Sequence, residues 1–421
     1  MKKIFLLMLC ICSISFSRPT VVYTGVYTLS NEKTKAEEKK NLVDLDVLVP
    51  MFYKVFATWQ NDGNTLPFDL ILETDAEETK HIAADPISMA ILVTRDDIQI
   101  ERFNTIGVTK TTLNLGLSVL FYQTRKTEKG TLNVVLASVP LNSYMSDETR
   151  DGTGENDLKT MMKKLAKELL QNRFKNRVKK IGIDESNVTI ACNDKDCYID
   201  DFKKLGLEVG QSVTVNIGST NEEFFIKEND GSLEDAGNGM MMALRGMGKS
   251  KGYASNIRGY SDNTWQVIST EITSKKAAKL FSNEPTCEQI AQWYSDFLSG
   301  VGKAVLPPLT GVEWSTNSMG YTEMVLAKED GELESFAMAP ARNKVALGFP
   351  GVASKVIEKN KINEIWAFKI WLSTKVNNGK EKEEEFTTSK KTVVGTQDFR
   401  EVDVFRDLLQ VSTKKLVEKG N

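Results

Sequence analysis

Residues 113–124, LNLGLSVLFYQT, place Leu115, Leu117, Val119 and Phe121 at every second position. Alternation of that period gives an extended strand one apolar face. The polar run RKTEKG follows, and TLNVVLASVPL (131–141) returns, so the stretch predicts a β-hairpin. Upstream, TVVYTGVYTL (20–29), FDLILET (68–74) and ISMAILVTRDD (87–97) read as strands, the last apolar enough to be buried on both faces. PMFYKVFATWQ (50–60) changes period. Met51, Phe52, Val55, Phe56 and Trp59 share one helical face, with Pro50 expected in the first turn.

The run SDETRDGTGEN, acidic and glycine-containing, comes next. It leads into an amphipathic helix over about 156–178, with Leu158, Met161, Met162, Leu165 and Leu169 as its stripe. The order over 18–180 is therefore strand, helix, strand, strand, hairpin, helix. The carboxyl end repeats the last part. INEIWAFKIWLSTKV (362–376) puts Trp366, Phe368, Ile370 and Leu372 on one face, NNGKEKEEE turns, and FTTSKKTVV returns. A helix over about 397–418 follows, carrying Phe399, Val402, Phe405, Leu409 and Leu416. The two segments do not align residue by residue, so the repeat is one of architecture at most, and an ending common to many α/β domains is an equal reading.

Between them, GLEVGQSVTVNIG (206–218) alternates at Val213, Val215 and Ile217, and TWQVISTEI (264–272) is a further strand. SKKAAKLF is helical. TCEQIAQWYSDFLSGVGKAV (286–305) predicts a helix with Ile290, Trp293, Tyr294 and Phe297 at core spacing. TEMVLAKEDGELESFAMAP (322–340) predicts a hairpin turning at Asp330-Gly331. The fold class is α/β (α+β): a multidomain chain of mixed sheets with amphipathic helices packed on them and a β-rich central region. The expected divisions are a leader at 1–17, an α/β domain at 18–180, the central region at 181–305, and a hairpin-plus-helix domain at 306–421.

The leader reading comes from MKKIFLLMLCICSISFSRPT. Lys2 and Lys3 precede an apolar run from Ile4 to Ile14, and Ser15-Phe16-Ser17 offers small residues for cleavage after Ser17. The run falls short of the roughly 20 residues a bilayer span needs. Cys10 and Cys12 lack the small neighbour that lipoprotein processing requires. The expectation is an exported protein, periplasmic or secreted, with no integral membrane segment once the leader is removed. At about 150 residues per domain the remainder divides into two or three. Composition is that of a globular protein, 41% apolar and 26% charged. The formal net charge of −3 argues against a nucleic-acid partner.

An oxidising compartment gives VTIACNDKDCYIDDF a meaning. Cys192 and Cys197 flank a turn-forming Asn-Asp-Lys-Asp and are expected to form a disulfide. A metal site using the nearby aspartates matches no calcium or zinc spacing. Cys287, early in a helix, is expected as a buried free thiol.

ALRGMGKSKGY (243–253) comes near a phosphate-binding loop. However, Ala243 replaces the first glycine, GNGMMMAL is a weak preceding strand, and KGYASNIRGYSD cannot open a stable helix. No nucleotide, and no other cofactor, is expected. Gly237–Gly259 does hold six glycines, Arg245, Lys249, Lys251 and Arg258, and no acidic residue. That makes an anion-binding candidate, though a solvated surface loop is the plainer reading. His81 is the only histidine, which removes Ser-His-Asp hydrolysis, Cys-His proteolysis and multi-histidine metal sites. Carboxylate-pair hydrolysis needs no histidine, and Trp293, Trp314, Trp366 and Trp371 could line a sugar cleft, but no pair of acids stands out by spacing. The runs Asp200-Asp201 and Glu383-Glu384-Glu385 are expected to be solvated.

The element order of 18–180 resembles a family of periplasmic α/β modules, among them the amino-terminal domain of the Tol-system propeller protein and the core of curli-secretion lipoproteins. GLEVGQSVTV is similar to the small barrel of flagellar outer-membrane accessory proteins. The resemblance rests on element order, covers under half the chain, departs from the curli family in lacking a lipobox, and carries no functional residue with it. It implies a non-enzymatic cell-envelope component that binds an envelope protein or cell-wall component. The alternative is a secreted hydrolase using carboxylates on a glycan or peptide.

Overall fold

The computed structural model describes residues 20–29, 45–62, 66–72, 87–103, 107–127, 130–178, 182–190, 212–217, 220–225, 250–258, 264–282, 286–316, 321–338, 340–394 and 400–420. The leader, His81, Cys192, Cys197, Arg245 and Lys249 lie outside them. The fold is α/β: thirteen strands join in one mixed sheet with helices packed on it, and four more form a separate small sheet.

The first unit runs β1 (Thr20–Leu29), α1 (Leu45–Asn61), β2 (Asp69–Leu72), β3 (Ile87–Phe103), β4 (Val108–Thr127) and β5 (Gly130–Thr149). Helix α2 follows, from Glu155 to Val178. β1 takes β2 and β3 as parallel neighbours, and β3–β4–β5 is an antiparallel meander. The structure departs from or adds to the sequence reading at three points. Helix α1 begins at Leu45, so Pro50 lies inside it and not in its first turn. The amide that Pro50 lacks would have met the Asp46 carbonyl. Both residues are exposed, and the helix runs through the proline to Asn61. The acidic run after Leu141 is strand as far as Thr149, because β4 supplies a ladder down to Thr109. Finally, α2 widens to a π-helical turn at Leu169–Phe174, where the Lys175 amide bonds Leu170 O. The wider turn brings Phe174 and Val178 onto the buried side, where a regular helix would have rotated them away.

The second unit repeats this topology over a longer span than sequence suggested. β10 (Thr264–Ile272), α4 (Thr286–Gly300), β11 (Ala304–Val305), β15 (Asn343–Lys359), β16 (Asn363–Val376), β17 (Lys382–Val393) and α5 (Glu401–Gly420) match β1, α1, β2, β3, β4, β5 and α2 in order. A short α3 (Lys275–Leu280) is additional, its amino end capped by Ser274. β10, like β1, has a short and a long parallel neighbour, and both strands slip register at the same point, after Tyr23 and after Val267. The helix expected to reach residue 305 stops at Gly300. Gly302 (φ 86°) turns the chain into β11. The strand at 264–272 and the helix at 286–300, grouped by sequence with the central region, thus pair and pack with the carboxyl-terminal strands.

Each unit buries the helix-bearing face of its sheet. In the first, Val21, Tyr23, Met89, Ile91, Leu117, Val119, Phe121, Ala137 and Val139 meet Phe52, Phe56, Trp59, Leu165, Leu169 and Phe174. In the second, Val267, Val345, Leu347, Phe368, Ile370 and Leu372 meet Ile290, Trp293, Tyr294, Phe405, Leu409 and Leu416. This is the amphipathic pattern of both sequences realised in three dimensions.

The other face of the first unit is closed by an insertion of the second. Between β11 and β15 the chain makes β12 (Ser315–Thr316) and the hairpin β13 (Thr322–Lys328) and β14 (Leu333–Met338). β13 pairs β1 and β14 pairs β5. The circuit β1–β3–β4–β5–β14–β13 is therefore closed, a six-stranded barrel with no free edge. Tyr27, Leu92, Leu120, Tyr122, Val135, Met324, Leu326, Phe336 and Met338 fill it, joined by Leu306 and Leu309 of the entering segment. Both Tyr27 and Tyr122 lie 5.1 Å from Phe336, ring centre to ring centre.

The hairpin turns at Asp330-Gly331 as expected, with Gly331 at φ 88°. Its Glu329 carboxylate accepts the Val26 amide at 2.7 Å and lies over Gly25, whose φ of 125° suits glycine alone. The small sheet, β6 (Gly182–Ile190), β9 (Ser250–Arg258), β7 (Ser212–Ile217) and β8 (Thr220–Phe225), is antiparallel throughout. No helix among the described residues is long and apolar enough to cross a membrane.

Candidate functional site

The two units meet along a polar seam and open a cleft beside it. On the seam, α4 lies across β5 and the carboxyl end of α2. The Asp296 carboxylate, 3% exposed, pairs with Arg177 and lies 3.7 Å from Arg173 Nη1. Both guanidinium groups also donate to carbonyls of β5, Arg173 to Asn142 O and Arg177 to Pro140 O. Gln292 Nε2 donates to Thr94 O at 2.8 Å, and Asn142 Nδ2 donates to Gln292 O at 3.2 Å. Burial pushes the Asp296 carboxyl up despite the two arginines and the Asn142 amide pulling it down. The π-helical turn matters here, since it contains Arg173 and ends three residues before Arg177.

The cleft, about 210 Å³, has one wall from the outer reaches of β3, β4 and β5 and the other from α5 and β17, with Trp293 of α4 at its inner end. β3 contributes Arg95, Gln99 and Glu101, an even number of residues apart and so on one strand face. α5 and the residue before it contribute Arg400, Asp403, Arg406, Asp407 and Gln410, one stripe at helical spacing. Tyr144 stands on β5, 56% exposed, and Thr112 and Ser146 share a hydrogen bond at 2.8 Å.

Most of the charge in this cleft is internally matched. Asp97 is bound by Arg95 through Nε and, at 3.1 Å, Nη2; Asn114 Nδ2 adds a bond at 2.9 Å. The Arg95 guanidinium lies 5.9 Å from the Trp293 ring centre. Asp403 takes a two-pronged contact from Arg400, Nε and Nη2 both at 2.8 Å, and a third bond from Arg406 Nη1 at 3.0 Å. Arg400 Nη2 also reaches to 3.7 Å of Glu101 Oε1. Glu101 is therefore held more weakly than Asp97 or Asp403. Burial first, then the Asp403 charge, pushes its pKa up, while Lys110 and Arg400 pull it down. Asp407 is raised too, mainly by burial, against Lys110 and Arg406.

Of the residues singled out by sequence as an anion site, Arg245 and Lys249 lie outside the described residues. Lys251 and Arg258 fall on β9, opposite Thr189 and Gly182 of β6, so their segment is a paired strand. Of the four tryptophans considered for a sugar cleft, Trp293 alone lines this one. Trp314 is 49% exposed, and Trp366 and Trp371 are half-buried on β16. Glu384 and Glu385 on β17 pair with Lys419 and Lys369. Cys287 is free and half-buried, and burial followed by Glu288 pushes its thiol pKa up, the reverse of what a nucleophile needs. Among the described residues no cluster of three or more His, Cys, Asp or Glu could hold a metal ion. The cleft residues did leave a signal in sequence: the alternation Arg95, Asp97, Gln99, Glu101, and the polar stripe Arg400, Asp403, Asp407, Gln410. What sequence lacked was any sign that the two stripes face each other.

No protein-family model matches the chain, and no curated protein matches it.

Proposed function

We propose that this chain is an exported, non-enzymatic binding or assembly component of a bacterial cell envelope, and that its partner docks a chain segment into the cleft between the units. One observation carries the reading: the cleft is assembled from both units, and at its mouth stand Tyr144, 56% exposed, and Arg400, its side chain 53% exposed. Tyrosine and arginine dominate the energetics of protein recognition because each offers a large contact area with directional hydrogen bonds. The Asp403 carboxylate is held by two arginines and is thus an anchor for Arg400. The leader reading supports export, and the buried polar contacts that join the two units beneath the cleft favour recognition without rearrangement. The test is affinity capture from native cells with the tagged full-length chain, followed by Tyr144→Ala and Arg400→Ala. A specific envelope partner that both substitutions reduce at least about tenfold supports the reading; a partner set unchanged by both overturns it.

A second reading, carboxylate-dependent hydrolysis of a glycan or peptide, is favoured by Glu101 and Asp403 lining one cleft with the Glu101 carboxyl pushed up by burial and by Asp403, since such hydrolysis uses a pair of carboxyl groups. Turnover of peptidoglycan fragments abolished by Glu101→Gln would establish it.

A further inference from the structure

We propose that the tip of the β15–β16 hairpin is a lipid-contacting wedge that seats the molecule on an anionic membrane surface. This stands apart from the cleft reading. Four aliphatic side chains gather at the tip and are left open: Val356 (39% exposed), Ile357 (54%), Ile362 (67%) and, on the adjoining end of β17, Val393 (51%). Their placement is ordered. The amides of Ile362 and Asn363 both donate to Asn360 Oδ1, at 2.9 and 2.7 Å, and Asn360 N donates back to Asn363 O at 2.9 Å. Val394 N donates to Ile362 O at 2.9 Å and ties the end of β17 to the same turn. Ile362 is thus held outward by a hydrogen-bonded turn.

The arrangement also selects the kind of surface. Val356 lies opposite Trp366, and Val393 lies opposite Asn363. Trp366 and Asn363 are an odd number of residues apart on β16, so Val356 and Val393 emerge on opposite faces of the sheet. Ile357 sits at a register slip between them, and Ile362 points from the end. A folded protein partner covers one face; apolar groups on both faces and the end suit a fluid medium that surrounds a wedge on every side. Charge narrows the medium further. Lys355, Lys361 and Lys391 are exposed around the tip, and Lys359 pairs with Glu364, which leaves Glu358 as the one unmatched acid among these residues. A local positive excess on a chain of net charge −3 fits anionic headgroups at the rim of the inserted aliphatic groups.

The test is co-sedimentation of the full-length mature chain with vesicles of phosphatidylcholine containing phosphatidylglycerol, and with phosphatidylcholine alone, at low and at high salt. The expected result is binding to the anionic vesicles that weakens with salt. Ile362→Asp should lower partitioning at least about tenfold, and Lys361→Gln about fivefold. Val411→Asp, an equal apolar loss at an exposed position of α5, should leave it unchanged. Vesicles with brominated acyl chains should quench Trp366 in the unaltered chain, and Trp366→Phe should remove that quenching. No sedimentation with anionic vesicles at low salt overturns the proposal. So does equal partitioning of the unaltered chain and Ile362→Asp, or brominated lipid that quenches equally with and without Trp366.

Discussion

Glu101 shows how one side chain reports on the cleft. Its pKa in the folded chain is raised above the ordinary 4.5 by burial and by Asp403. Folding therefore favours the protonated form, so its stabilising contribution is complete below the ordinary carboxylate range and is lost as pH rises through the raised folded value. Asp407, raised from 3.8 for the same first cause, adds in the same direction. Glu101→Gln should accordingly raise the melting temperature at pH 7–8 and give no gain near pH 4, measured by thermal denaturation across that range. A melting temperature that drops at both pH values would mean that Glu101 is held chiefly as an ionised partner of Arg400. Cys287 obeys the same logic. Because its thiol pKa lies above the ordinary 9.0, iodoacetamide should modify it slowly in the native chain at pH 8 and quickly after denaturation, as read by mass spectrometry.

Elements decide where the seam lies. Helix α4 is buried nearly all round, because β5 lies against one side of it and α5 against another. That is why its polar residues Gln289, Gln292, Ser295 and Asp296 are buried as well as its aromatic ones. A sequence pattern marks the apolar stripe of a helix but does not say that its polar side meets a second unit. Removing Asp296 alone leaves Arg177, itself 14% exposed, without its counter-charge. Asp296→Ala should cost about 3–5 kcal/mol in equilibrium unfolding, whereas an exposed ion pair such as Lys369–Glu385 should cost about 0–1 kcal/mol. The π-helical turn has an equally concrete consequence. Phe174 stacks near Trp59 and Phe121, at 6.1 and 6.4 Å between ring centres, and Phe174→Ala should cost about 3–5 kcal/mol.

For the molecule as a whole, the two units are interleaved. Residues 18–180 contain every strand of the first unit, yet the barrel formed on its second face depends on β13 and β14 from beyond residue 320. Without them Leu92, Leu120 and Tyr122 lose their cover and β1 and β5 regain free edges. A fragment ending at residue 180 should therefore bind the apolar dye ANS and lack a cooperative melt, while the full chain melts cooperatively. A compact, dye-silent fragment with a sharp transition would show that the first unit is complete by itself. At the far margin, β17 is an outer strand of the large sheet, and its Lys382, Glu383, Glu384, Lys390 and Lys391 discourage a further strand from pairing there.

Period and punctuation alone determined most of the local structure. Alternation marked β4 and β16, a continuous apolar run marked β3, helical spacing marked α1, α2, α4 and α5, and Asp330-Gly331 marked its turn. These are short-range properties, written in the order of residues because backbone geometry has only two strong repeats. The extent of the duplication, the closure of the barrel by a hairpin some 300 residues from β1, and the meeting of the β3 and α5 stripes across a cleft were decided by tertiary structure. Each depends on contacts between segments far apart in the chain, and no local periodicity encodes which distant face an apolar or charged stripe will meet.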